Sequence, residues 1–144
     1  MIELEKQRLR KTFKEQRSAL TPDVVENKSK EICQNFISNL LPKIYYNLNH
    51  QSLEEEQKIF SVYLSSQNEP SCSDIVQPFK KNLIPFSYPK IIQKNQPLEF
   101  VLASKNQKFS ANKFYPKILE PITGEKILPD FLILPLLAFD TYLS

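Results

Sequence analysis

The chain has 144 residues, 41% hydrophobic and 24% charged, which fits one soluble globular domain and excludes both a disordered segment and a two-domain protein. Its formal net charge of +3 is mild and its basic residues are dispersed, which argues against a nucleic-acid footprint; no apolar run is long enough for a membrane span or a secretory core. A cytoplasmic protein with no nucleic-acid or membrane partner is therefore expected. Cys33 and Cys72 are far apart and His50 is the only histidine, so two reduced thiols are expected and no metal site in this chain. Gly124 stands alone where average usage would give about ten glycines. Loops that wrap a triphosphate with backbone N–H groups need glycine, so the chain contains no such loop.

Residues 3–20 are predicted to be helical, with Leu9, Phe13 and Leu20 on one stripe. Lys6, Arg10, Lys14 and Arg17 recur beside it at spacings of three and four. That arrangement fits cations bordering a cleft, though spacing alone favours a solvated basic face. Thr21-Pro22-Asp23 opens a second helix, with Thr21 as cap, Pro22 in the first turn and Asp23 favoured by the helix dipole. It is expected to run to Leu41 and stop at Pro42, packing Val25, Ile32, Phe36, Ile37 and Leu40 inward beside Cys33. Lys43 to Gln57 is predicted to be a polar connector, and His50 within it has nothing nearby to orient it.

Lys58 to Leu64 has the β-branched and aromatic content of a buried strand, breaking into the polar loop Ser65 to Pro70, whose one acid is Glu69. A short helix over 73–81 containing Pro78, a strand over 83–88 and a strand over 98–102 are expected next. Residues 105–113 read as a polar, mobile segment, 114–121 as irregular, and 122–125 as a turn. Asp130 to Asp140 is unbroken apolar sequence or proline between its acids, predicted to be a central strand buried on both faces, with Asp140 at its carboxyl end where α/β sheets bind ligands. There is no internal repeat. The order of elements predicts one α/β domain over 1–144, its sheet mostly parallel and flanked by helices.

Five stretches, in order, resemble 5-formyltetrahydrofolate cyclo-ligase, also called methenyltetrahydrofolate synthetase. They are Lys6-Gln7-Arg8-Leu9-Arg10 (family K-x-x-L-R), Tyr63 to Glu69 (Y-L-S-x-x-x-E), Tyr88-Pro89-Lys90 (Y/L-P-K), Ile118-Leu119-Glu120-Pro121 (I-x-E-P), and Asp130 to Asp140 (D-L-I-L-V-P-G-L-A-F-D). The resemblance implies the cyclo-ligase fold and ATP- and Mg²⁺-dependent closure of 5-formyltetrahydrofolate to 5,10-methenyltetrahydrofolate. It implies that Lys6 and Arg10 contact ATP phosphates and that Leu64 and Glu69 line the folate site, with Asp140 near that site by position. Leu136 and Lys117 stand where the family has glycine, and the family's G-x-R-L-G-x-G-x-G-Y-Y-D loop, with its metal-binding aspartate, has no counterpart. The chain is accordingly expected to be an incomplete, C-terminally truncated cyclo-ligase-like domain with little or no turnover alone. The alternatives are one half of a split enzyme, with a second chain supplying that loop, and a non-catalytic folate- or nucleotide-binding remnant.

Overall fold

The computed structural model describes residues 1–49 and 57–139; His50 and Asp140 lie outside them. The first helix, α1, spans Ile2–Ser18, and Ala19 N–H closes it on the carbonyls of Glu15 and Gln16. Pro22–Asn35 forms α2, entered as expected from Thr21 with Pro22 in the first turn. Pro42 does not stop the helical path. A π turn over Phe36–Leu40 sends the Leu41 N–H back to the Phe36 carbonyl, and α3 follows over Leu41–Asn49, so Pro42 sits in a new first turn where its missing N–H costs little. The first part of the expected polar connector, from Lys43 to Asn49, is thus helix.

The buried face of α2 also differs from the expected stripe. Ser29 and Cys33 are fully enclosed, whereas Ile32 and Leu40 are each 50% exposed. Local hydrogen bonds account for Ser29, whose hydroxyl donates to the Val25 carbonyl at 2.6 Å and accepts from Ser71 N–H at 2.9 Å, so its polarity is satisfied on burial.

β1 (Phe60–Ser61) is followed by α4 (Ser73–Lys81), β2 (Phe86–Lys90), β3 (Glu99–Leu102), β4 (Phe109–Ala111), β5 (Leu119–Pro121), β6 (Lys126–Ile127) and β7 (Phe131–Leu132). Five strands make one sheet in the order β6-β3-β2-β1-β7. β1 pairs in parallel with β2 and with β7, while β3 is antiparallel to β2 and to β6. Four strands therefore share a direction and β3 alone opposes them, which is the mostly parallel α/β sheet expected. Residues 105–113 are not a structureless segment: β4 pairs antiparallel with β5 as a separate hairpin, in the register Ser110 with Glu120.

Register explains the core. Phe60 stands level with Phe86 on one side and Phe131 on the other, so three phenylalanines project from one face of the parallel strands. Phe60 lies 5.1 Å from Phe131 and 5.1 Å from Phe79 of α4, with Phe36 edge-on at 6.3 Å. Ring pairs at these spacings add stabilisation beyond the area they bury, about 1 kcal/mol each.

The segment after Asp130 departs most from expectation. It forms an edge, not the centre, of the sheet among the described residues, and only one of its faces is covered. Phe131, Ile133, Pro135 and Leu137 are half-buried, whereas Leu132, Leu134 and Leu136 are 51%, 64% and 67% exposed. Asp130 at its start is an anchor: its carboxylate accepts from Ile59 N–H at 2.8 Å and lies 3.6 Å from Lys58 Nζ.

Candidate functional site

Acidic Glu3 and Glu5 in the first turn of α1 and Arg17 in its last turn suit the helix dipole, and Arg8 pairs with Glu5 at 3.7 Å. No residue of α1 is fully buried. One side of the helix nonetheless faces protein: Ile2, Lys6, Leu9, Arg10, Phe13 and Lys14 line a cavity of about 980 Å³ whose far wall is Leu137, Ala138 and Phe139. Apolar Leu9 and Phe13 line it between the cations. The spacing of Lys6, Arg10 and Lys14 thus describes a cleft wall.

The loop after β1 is built separately. Gln67 and Asn68 have φ of 52° and 60°, a left-handed pair that asparagine tolerates better than most residues, and Glu69 N–H donates to the Ser66 carbonyl at 3.0 Å across the turn. Glu69 closes the same turn from outside, accepting from Ser66 N–H at 3.0 Å through Oε2. Its Oε1 lies 3.9 Å from Arg17 Nη1, with the two side chains only 20% and 16% exposed. Asn68 Nδ2 donates to the carbonyls of Arg17 and Leu20, both at 3.1 Å, supplying donors that the end of α1 lacks.

Of the residues expected at the site, Lys6 and Arg10 share a cleft with the end of the Asp130 segment. Glu69 does not line that cleft and reaches α1 only through Arg17. Leu64 is half-buried and packs on the core. Asp140 lies outside the described residues. Asn68 carries no signal in the sequence that marks it. Lys14 and Arg17 continue the cationic spacing of α1, but the partner of Arg17 is 52 positions away and no local pattern names it.

Two other matching stretches come together elsewhere. The Glu120 carboxylate, buried, accepts from Ile91 N–H at 3.0 Å and from Asn112 Nδ2 at 2.8 Å. Asn112 is 1% exposed and also accepts from the N–H groups of Phe114 and Tyr115. Lys90 Nζ donates to the Ile122 carbonyl at 2.9 Å. This knot joins the end of β2 to the β4–β5 hairpin. Below the β1 loop, Cys33, Tyr63 and Cys72 line a second cavity of about 400 Å³. Both thiols are free; burial pushes the Cys33 thiol up to about 11 and raises Cys72 and Tyr63 as well, which makes them inert near neutrality.

A magnesium ion is commonly held by one or two carboxylates together with substrate phosphates. No group of three or more His, Cys, Asp or Glu side chains with that potential occurs among the described residues, and the nearest acid of the β1 loop, Glu69, is engaged by Ser66 and Arg17. Glu69 is thus committed to partners within the protein. No helix among them is long and apolar enough to cross a membrane.

A cation-bearing helix laid beside the edge of a mostly parallel sheet defines an α/β protein with a cleft lined in part by cations. The particular fold is that of the methenyltetrahydrofolate synthetases, as the resemblance implied. The chain is similar to the 5,10-methenyltetrahydrofolate synthetase of Aquifex aeolicus, with a TM-score of 0.70 and 21% identity over 94% of this chain and 62% of that one. It is also similar to the 5,10-methenyltetrahydrofolate synthetase from Mycoplasma pneumoniae, with a TM-score of 0.62 and 20% identity over 94% of this chain and 66% of that one. The chain thus spans less than two thirds of the length of either. Neither a protein-family model nor a curated protein sequence matches it.

Proposed function

We propose that the chain is a cyclo-ligase-like protein that binds ATP and 5-formyltetrahydrofolate in the cleft between α1 and residues 137–139. The observation that carries this reading is the placement of Lys6, Arg10 and Lys14 on one wall of a cavity whose far wall is apolar, within a methenyltetrahydrofolate-synthetase fold. Three cations along one helix face can offset the charge of a triphosphate, while Leu9, Phe13 and Phe139 offer surface to a ring system. In the reaction of 5-formyltetrahydrofolate cyclo-ligases the formyl oxygen takes the γ-phosphoryl group, N10 then attacks the activated carbon, and phosphate leaves. The part that Lys6 and Arg10 would play is to hold the phosphates in line and offset their charge. Mg²⁺, when bound with the nucleotide, would supply charge neutralisation at the phosphates; no residue here is assigned to hold it.

Titration calorimetry of the 144-residue chain with ATP and with 5-formyltetrahydrofolate tests the reading. Binding of both is expected, with Lys6→Ala and Arg10→Ala each weakening ATP by about tenfold or more and leaving the folate titration nearly unchanged. Silence with both ligands would defeat it. Formation of 5,10-methenyltetrahydrofolate, followed by its absorbance, should be slow for this chain alone, because its one glycine, Gly124, lies in the turn before β6 and leaves no backbone cradle for the transferring phosphate. The exposed row Leu132, Leu134 and Leu136 favours a second reading, in which a further polypeptide covers that face and supplies the cradle.

A further inference from the structure

Helix α1 meets the β1 loop at one end only. A helix of 17 residues is long for one with no buried residue, and Met1 just before it and Ile2 and Leu4 in its first turn are 105%, 76% and 71% exposed. Its polar attachments run through its other end. Asn68 donates to the carbonyls of Arg17 and Leu20, and Arg17 reaches Glu69, which in turn closes the Ser66–Glu69 turn. Lys6 lies eleven residues before Arg17, about 16 Å along the axis, so a change of roughly ten degrees at the attached end carries Lys6 about 3 Å across the cleft. That distance is the difference between a hydrogen bond to a phosphate oxygen and none.

We infer that Asn68 and Arg17 are positioning residues: they fix the angle of α1 against the β1 loop and thereby set the gap between Lys6, Arg10 and the wall formed by Leu137 to Phe139. The inference rests on the phosphate reading for its consequence, though the clamp itself can be measured without ligand. Two features favour a positioning role over general stability. The contacts join one surface helix to one loop and leave the phenylalanine core untouched, and Asn68 occupies a left-handed φ of 60° that glycine can also adopt. Asn68→Gly therefore removes the amide donors while retaining the turn.

The test places spin labels on cysteines introduced at Glu3 and Gln77, both exposed, in the full 144-residue chain; the buried native thiols serve as an internal check that the core is intact. A narrow distance distribution is expected for the parent. Asn68→Gly and Arg17→Ala should each broaden it about twofold, Arg17→Lys should restore most of the narrowness, and Cys33 should stay protected from thiol reagents throughout. ATP should bind Asn68→Gly and Arg17→Ala about three- to tenfold more weakly than the parent and narrow their distributions. Unchanged distributions in both variants would overturn the inference, and Asn68→Gly alone decides it should Arg17→Ala fail to fold. Failure of ATP to bind the parent chain would sink the phosphate reading, and the ligand-free distances would then decide the clamp by themselves.

Discussion

Single side chains carry several constraints that the surrounding packing makes severe. Gly124 has φ of +152°, and a Cβ there would collide with Cγ1 of Val101, the β3 residue level with Lys126 of β6. Gly124→Ala thus combines backbone strain with overpacking, and a loss of about 2 kcal/mol or more is expected in urea unfolding. Cys33 is 1% exposed, its Sγ donates to the Ser71 carbonyl at 3.2 Å, and burial lifts its thiol from an ordinary 9.0 to about 11. Since the folded state holds the proton more tightly, its stabilisation is complete below pH 9 and is lost as pH rises toward 11, at about 1.4 kcal/mol per pH unit. Raised values for Cys72, Tyr63 and Tyr88 act with the same sign. Denaturation midpoints followed from pH 8 to 11 should fall steadily through this window, and Cys33→Ala should flatten part of the fall. A midpoint insensitive to pH there would contradict the burial of these groups.

At the scale of elements, the β4–β5 hairpin depends on a polar knot in place of an apolar interface. Asn112 uses both of its polar atoms, donating to the Ile91 carbonyl and to Glu120 and accepting from two backbone N–H groups. Asn112→Ala would leave the buried Glu120 carboxylate short of a donor and two N–H groups unpaired, at a cost of about 2–4 kcal/mol. Proteolysis near residues 105–118 is the local readout, and faster cleavage there than elsewhere is expected. Because the knot is assembled from residues far apart in sequence, the polar run over 105–113 looked like a loop from its composition. Elements whose cause is local were legible: α1, α4 and β3 fall within about two residues of their expected bounds, set by periodicity and apolar content. Pro42 misled because its local rule is true and incomplete: a π turn upstream lets the chain restart a helix on it. At the candidate site, the cations of α1 were legible from their spacing, whereas the pairing of Arg17 with Glu69 was not, since 51 residues intervene.

For the whole molecule, the distribution of apolar surface follows from where the Asp130 segment sits. Unbroken apolar sequence cannot say which residues alternate inward, because periodicity is invisible when every position is hydrophobic. The structure supplies what the sequence withheld: among the described residues β7 pairs on one side only, with β1, and Phe131 and Ile133 turn toward the core while Leu132, Leu134 and Leu136 turn away from it. A contiguous apolar row on a strand edge is a site for unwanted association. Sedimentation velocity on the 144-residue chain should accordingly reveal self-association that grows with concentration. The paired substitution Leu134→Lys with Leu136→Lys should suppress it while changing stability by less than about 1 kcal/mol, since both side chains are already in water. Ile133→Lys, one position away, should instead cost about 3 kcal/mol or more by placing a charge against the buried core. Equal effects at 133 and 134 would mean that the segment lacks the one-sided burial on which the edge assignment depends. A chain that stays monomeric with its native leucines would mean that this face is too small or too well screened to drive association, and the case for a second polypeptide covering it would weaken accordingly.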